Sequence, residues 1–165
     1  MTSLSSVRDT LRRWRHQALV APHEFAISRW LYLRLLGCVL LIAFLSFWTQ
    51  LEGLVGQEGI LPVSDTLARY AKAWGASRVW RAPTLLWLWP NATGAHVVCA
   101  VGTLSSFCVI FGRRQALSLL FAWVSYLSLF YGAQRWLGYQ WDLLLLETTF
   151  VSIFLAPWCR NHWLS

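Results

Sequence analysis

The chain has 165 residues, of which 57% are hydrophobic and 13% are charged, and its formal net charge is +7. Soluble domains have about 45–50% apolar and about 25% charged residues, so this composition is typical of a membrane protein. The 12 Trp residues suit a protein that meets two membrane–water interfaces. The basic residues stand mostly before and between apolar segments and do not form one basic helix face, which argues against nucleic-acid binding.

The motifs that would indicate catalysis or metal binding are absent from the sequence. Cys38, Cys99, Cys108 and Cys159 show no C-x-x-C spacing and do not accompany an H-x-x-x-H pattern. The chain has no Walker loop, Rossmann fingerprint, H-E-x-x-H motif or nucleophile elbow. The sequence therefore predicts no cofactor, no metal site, no catalytic residues and no enzymatic activity.

The first segment, residues 1–30, is rich in arginine and has no signal-peptide pattern. Leu11, Trp14 and Ala18 share one helical face with arginines around it, as in a basic amphipathic helix on an anionic leaflet. A disordered basic tail is the alternative. Either way we interpret residues 1–30 as a cytoplasmic arm.

The first apolar run, residues 31–50, is long enough to cross a membrane core of about 30 Å. Arg34 lies about one turn inside it, so its side chain can extend to the headgroups. After the run, Gly56, Gly59 and Pro62 indicate a backbone turn.

The long connection to the next apolar run contains two shorter elements. Residues 64–74 place Leu67, Tyr70 and Trp74 at helical spacing, which predicts a short interfacial helix. Residues 82–90 are aromatic-rich and too short to span, so they either lie in the interface or lead into the next crossing.

Three further apolar runs complete an all-α, four-helix transmembrane bundle, with the interfacial helix in the first extracytoplasmic loop. The predicted membrane domain is 31–158, with spans at 31–50, 95–111, 116–133 and 140–158. The basic loop around Arg113 and the arginine-rich arm then lie on one side of the membrane. By the positive-inside rule this side is the cytoplasm, and residues 159–165 form a cytoplasmic tail.

Two carboxylates in the fourth span are the most informative polar residues. Asp142 stands near the start of the span, where a carboxylate compensates the helix dipole and caps the helix. Glu147 lies five residues further on, roughly 7–8 Å deeper. That step turns about 140°, so the two acids do not share one narrow face, which argues against a catalytic dyad on this helix.

Glu147 needs a partner, since an acid inside the membrane is costly. Arg34 lies near the opposite side of the membrane, whereas His96, Gln140 and the Ser125 hydroxyl are closer in depth. The hypothesis is that Glu147 is a buried polar anchor in the outer half of the bundle.

Two stretches together resemble the lipase maturation factor family: G-x-x-G-I-x-P and Q-W-D-x-L-L-L-E-x-x-F followed by L-A-P. They are matched by Gly56, Gly59, Ile60 and Pro62, and by Gln140, Trp141, Asp142, Leu144–Leu146, Glu147, Phe150 and Leu155–Pro157. The resemblance implies a polytopic membrane protein. Animal members reside in the endoplasmic reticulum, where they help lipases to fold and assemble into active dimers.

The resemblance also implies the partners: membrane lipid, and either a secreted hydrolase client or a second membrane subunit. The expected location is the endoplasmic reticulum membrane in a eukaryote or the cytoplasmic membrane in a bacterium. Family members are usually longer, so we expect a fragment or a short member. A distant similarity to the vitamin K-dependent carboxylase transmembrane domain and to DoxX-like proteins gives the alternative, a membrane redox enzyme or enzyme subunit.

Overall fold

A computed structural model describes the backbone of residues 24–156 and the side chains of residues 27–156. The helices in chain order are α1 (Glu24–Val55), α2 (Val63–Trp74), α3 (Arg78–Arg81), α4 (Ala92–Ile110), α5 (Gln115–Gly132), α6 (Gln134–Leu137) and α7 (Gln140–Leu155). Short 3₁₀ turns occupy Gly75–Ser77 and Leu85–Trp87. The described residues are thus all-helical, without strands, as predicted. The expected arm and tail lie outside them, except for residues 24–30 at the start of α1.

Within residues 24–156, three helices are long and apolar enough to cross a membrane: Ile27–Val55, Ala92–Ile110 and Gln115–Gly132. A helix satisfies its backbone hydrogen bonds internally, which is what a membrane-crossing segment requires. The helix that contains the predicted span 31–50 is longer than that span, since it runs from Glu24 to Val55. The second begins at Ala92, where Asn91 accepts a hydrogen bond from the Gly94 amide and caps the helix.

The chain divides into two units, Met1–Tyr32 and Leu33–Ser165. The second unit contains α1 from Leu33 onward and all the later helices. In its core the Phe44 ring of α1 is fully buried and occupies the space beside Gly102 of α4 that a β-carbon would fill. The same ring meets Tyr126 of α5 edge-on, with 5.5 Å between ring centroids. The Tyr126 hydroxyl in turn donates to Asp142 Oδ1 of α7 at 2.6 Å. One line of contacts therefore joins the four long helices.

α4 and α5 form an antiparallel hairpin closed by a tight turn. Gly112 and Arg114 have φ angles of 72° and 45°, in the left-handed region that reverses a chain in few residues. Beside this turn, Arg34 donates a hydrogen bond to the Ile110 carbonyl. The last carbonyls of a helix lack intrahelical partners, and a cation there also compensates the helix dipole. Arg34 thus contacts protein at this end of the bundle, which we call the hairpin end.

α7 packs against α5 through the Tyr126–Asp142 hydrogen bond and a ring contact of 5.2 Å between Trp123 and Phe150. The described helix has 16 residues, from Gln140 to Leu155. It is therefore shorter than the predicted span 140–158 and is not among the three candidate spans.

Candidate functional site at the loop-one end

The end of the bundle opposite the hairpin end is formed by the end of α1, the start of α4, the end of α5 and the start of α7. Residues 56–91, here called loop one, fold over it, and we refer to this region as the loop-one end. Most of the sequence-predicted site residues lie in this region.

The predicted glycine turn reverses the chain directly on the end of α1. The Gly56 amide donates to the Leu51 carbonyl at 3.1 Å, and the Ile60 amide donates to the Gly53 carbonyl at 3.1 Å. A β-carbon on Gly56 would collide with the Glu52 carbonyl. On Gly59 it would come within 2.9 Å of the same carbonyl oxygen, closer than side chains normally approach. Close backbone packing therefore explains why both positions are glycine.

Pro62 follows this turn and stands at the N-cap position of α2, with φ −55° and ψ 141°. The predicted short helix is present, beginning at Val63. Val63, Thr66 and Leu67 are buried, while Arg69 is exposed. α2 is thus an amphipathic helix whose apolar face lies on the rest of the fold.

A three-residue polar cluster joins α1 to α4 beside the turn. Trp48 Nε1 donates to His96 Nδ1 at 2.9 Å, and His96 Nε2 lies 2.7 Å from Glu52 Oε1. Because an indole N–H can only donate, His96 Nδ1 must accept, so the neutral ring carries its proton on Nε2 and donates it to Glu52. The Glu52 side chain is 69% exposed and that of His96 34%. The cluster thus fixes the orientation of His96 at the rim of the bundle.

Loop one is held on α5 by hydrogen bonds and by an apolar contact. Thr84 Oγ1 donates to the Ser128 carbonyl at 3.0 Å, and the Leu85 amide donates to Ser128 Oγ at 3.0 Å. Leu86 is buried and fills the space that a β-carbon on Gly132 would occupy. The aromatic-rich segment is therefore docked on the bundle by its own backbone and side chains.

A second attachment lies at Tyr70, whose hydroxyl donates to Gln134 Oε1 at 2.6 Å. Burial raises the pKa of Tyr70; the Arg69 cation partly opposes this shift, and Tyr131 adds to it. The Tyr70 ring stacks on Trp74 at 4.7 Å, and the Arg81 guanidinium lies 6.0 Å from the Trp74 ring centroid. Loop one thus combines stacked aromatic rings with a basic surface.

An apolar cavity of about 200 Å³ lies between loop one and the α4–α5 pair. Its walls are mainly aliphatic, with Leu85, Leu88 and Val101 among them, and Ser125 contributes a hydroxyl-bearing residue. The cavity suits an apolar group, because none of its lining residues is charged.

The two acids of α7 differ from their predicted roles. Asp142 does not cap the helix: the N-cap residue is Tyr139, and Asp142 lies in the first turn, bonded to Tyr126. A first-turn acid still faces the positive end of the helix dipole. Gln140 and Trp141, also candidate site residues, are exposed beside it.

Glu147 is exposed, so its predicted burial is wrong. Among the described residues it forms no hydrogen bond or ion pair; His96 instead bonds Glu52, and Arg34 bonds the Ile110 carbonyl at the far end. The physical reason is the phase of α7: Leu146 and Thr149 face inward, and Glu147 therefore points away from the bundle.

Sequence reasoning missed Trp48 and Tyr126, each of which donates a side-chain hydrogen bond to a residue of another long helix. Both are aromatic residues in apolar runs, where a Trp or Tyr is read as a hydrophobic residue although it carries a hydrogen-bonding group. Because a buried indole N–H or phenol O–H usually has a hydrogen-bond partner, these two residues could have been predicted to bond another helix.

Comparison with known proteins decides the family. Residues 27–165 match the family model described as the lipase maturation factor transmembrane domain. The chain belongs to the lipase maturation factor family. It is 37% identical to lipase maturation factor 2 of Mus musculus over 139 residues, which is 79% of this chain and 20% of that protein. Lipase maturation factor 2 of Xenopus laevis is 36% identical over 147 residues, 85% of this chain and 21% of that protein.

The lipase maturation factor 1 branch is similar as well: the Bos taurus protein is 34% identical over 142 residues, 81% of this chain and 25% of that protein. The chain thus spans about a fifth to a quarter of the length of the curated relatives it matches. No solved structure matches it. Family membership and three candidate spans together make it a multi-pass membrane protein.

Proposed function

We propose that this chain is the membrane domain of a lipase maturation factor-like protein that assists the folding and assembly of secreted lipases without catalysing a reaction. The observation that carries the proposal is the match of residues 27–165 to the lipase maturation factor transmembrane domain. The relatives are named for lipase maturation, and the alternative of a redox enzyme is not favoured by any of these comparisons.

The proposed architecture is a four-span bundle, residues 31–158, between a cytoplasmic arm (1–30) and a cytoplasmic tail (159–165). α7 is the fourth crossing in this proposal, supported by its apolar sequence and its antiparallel packing on α5. The proposed membrane is that of the endoplasmic reticulum, where proteins destined for secretion fold. The relatives come from vertebrates, which favours that membrane over a bacterial one.

The proposed orientation places the hairpin end in the cytoplasm and the loop-one end in the lumen. Arg113 and Arg114 are both exposed at the hairpin end, as the positive-inside rule expects of a short cytoplasmic loop. α2 then lies at the lumenal interface, with its polar face toward the headgroups.

The working surface in this proposal is the loop-one end, because it would share a compartment with a secreted client. Trp80 is its most exposed large hydrophobic side chain, with 91% of its surface accessible. Exposed aromatic residues are the typical anchors of protein interfaces. Phe111, 68% exposed at the hairpin end, is the matched control because it is an exposed aromatic residue on the opposite side.

A chimaera tests the proposal. In bovine lipase maturation factor 1, the segment matched by this chain is replaced by the corresponding residues of this chain, and the product is expressed with a lipase in cells that lack their own lipase maturation factor 1. We expect the ratio of lipase activity to lipase mass in the medium to rise well above the empty-vector value. Trp80→Ala should lower that ratio and Phe111→Ala should not. A chimaera that inserts normally but leaves the ratio at the empty-vector value would refute the function.

A further inference from the structure

Glu147 occupies an unusual position for a carboxylate. It lies seven residues from the start of α7 and eight from its end, about 10 Å from either terminus along the helix axis. In the four-span bundle proposed above, on which this inference rests, α7 crosses the membrane and the short side chain of Glu147 cannot reach headgroup depth. A charged side chain there faces hydrocarbon, which is costly, so intramembrane acids normally have a polar partner. Among the described residues Glu147 has none, because its face of α7 points away from α5.

The surroundings of Glu147 form a continuous exposed stripe along α7, which we call the α7 seam. Its members recur at alternating steps of four and three residues, the spacing at which helices pack side by side. Leu144, Val151 and Phe154 are 52%, 65% and 71% exposed. The seam consists of Gln140, Leu144, Glu147, Val151 and Phe154.

The opposite face of α7 is already occupied. Leu146, Thr149 and Ile153 are buried, and Asp142 on the same side bonds Tyr126 of α5. The helix therefore has one face committed to the bundle and one apolar face with a single acid at its centre.

We propose that the α7 seam binds a membrane helix from outside these 165 residues, and that this helix places an arginine or lysine opposite Glu147. An ionised carboxylate only accepts hydrogen bonds, so the occupant must supply the donor, and a cation also neutralises the charge. A charged position flanked by apolar seam residues fixes the register of the two helices.

The same charge argues against the other occupants. A second copy of this chain, packed seam to seam in parallel, would bring Glu147 against Glu147, and two carboxylates at one site cannot both ionise. Lipid tails would satisfy the apolar seam residues, but they offer no donor to the acid.

The test is photo-crosslinking in native endoplasmic reticulum membranes, with a photo-reactive phenylalanine in place of Val151, one turn from Glu147. The matched control carries the same group in place of Leu104, which is 66% exposed on α4. Adducts are identified by mass spectrometry. We expect the Val151 position, and not the Leu104 position, to capture an apolar helix that contains an arginine or lysine.

Substitutions of Glu147, made in the chain that carries the photo-reactive group at position 151, show whether the carboxylate holds the captured helix in place. Glu147→Leu should lower the yield of that adduct about tenfold, a change that corresponds to the loss of one strong polar contact. Glu147→Gln, which keeps an acceptor, should lower it less. Glu147→Leu removes a charge from an apolar surface, so the variant should insert at least as well as the wild type, and membrane extraction followed by gel filtration checks this.

Four results would overturn the inference: adducts with lipid alone, an adduct with a second copy of the chain, capture of a helix without a basic residue, or a yield that does not respond to Glu147→Leu. The crosslinking readout is independent of lipase activity. A failed crosslink therefore leaves the proposed lipase function standing, and a failed lipase assay leaves the proposed helix contact standing.

Discussion

Removal of one hydroxyl group, in Tyr126→Phe, tests how the four long helices are held together. The ring is 3% exposed and meets Phe44 edge-on, and the substitution leaves that packing in place. It deletes only the 2.6 Å hydrogen bond to Asp142. Hydrogen bonds to charged groups contribute about 1.5–3 kcal/mol in soluble proteins, and those between membrane helices about 0.6–2 kcal/mol. We therefore expect the free energy of unfolding to fall by about 1–2 kcal/mol.

The assay is unfolding in mixed micelles with increasing SDS, followed by tryptophan fluorescence. Tyr70→Phe is the control: it deletes a hydrogen bond of the same 2.6 Å length, but to a neutral, exposed Gln134. Water can replace that contact, so its loss should cost under about 0.5 kcal/mol. A double-mutant cycle with Asp142→Ala isolates the pair. A Tyr126→Phe cost no larger than that of Tyr70→Phe would contradict a stabilising Tyr126–Asp142 hydrogen bond, and so would a double mutant whose cost equals the sum of the single costs within about 0.3 kcal/mol.

Three further outcomes are expected. Gly102→Ala drives a methyl group into the Phe44 ring and should lower the free energy of unfolding by about 1–3 kcal/mol, which Phe44→Leu in the same chain should partly restore; an unchanged stability would contradict the close contact. Arg34→Ala removes the donor to the Ile110 carbonyl and should cost about 1–3 kcal/mol, more than Arg34→Lys; equal losses would contradict a role for the donor. Because burial raises the pKa of Tyr70, its contribution to stability should be complete below about pH 10 and lost as pH rises beyond that; Tyr70→Phe should abolish this alkaline loss, and an unaltered pH profile would count against it.

The loop-one turn and the start of α2 could be predicted because their signals are local. Gly56 and Gly59 indicate a tight reversal, and that reversal lies on the end of α1, where side chains would collide with a backbone carbonyl. The apolar face of α2 was visible because Leu67 and Tyr70 alternate with exposed charged residues such as Arg69.

The orientation of α7 could not be predicted in the same way. This helix carries apolar side chains around most of its circumference, so no stripe in its sequence marks the face that packs. The position of Glu147 along the sequence gives its depth in the membrane, and from that depth we predicted a side chain inside the bundle. The direction of the side chain depends on the rotation of α7 about its axis, and this rotation turns Glu147 outward. Phase also explains Asp142, which reaches Tyr126 on α5 instead of capping its own helix.

The position of His96 was predicted in part. The predicted spans 31–50 and 95–111 put His96 at the start of the second span, and Glu52, which directly follows the first span, lies at the same end of the bundle. The hydrogen bond between them depends on which sides of α1 and α4 face each other, and that is a property of packing, to which Gly102 and Phe44 contribute.

Cysteine accessibility in sealed microsomes tests whether the loop-one end lies in the lumen. In a chain whose Cys38, Cys99, Cys108 and Cys159 are replaced by serine, single cysteines are introduced by Trp80→Cys or Arg113→Cys and exposed to a membrane-impermeant maleimide. We predict labelling of the Arg113→Cys variant in sealed vesicles and of the Trp80→Cys variant only after permeabilisation. The reverse pattern, or labelling of both variants in sealed vesicles, would contradict the orientation and with it the proposed contact with secreted lipases.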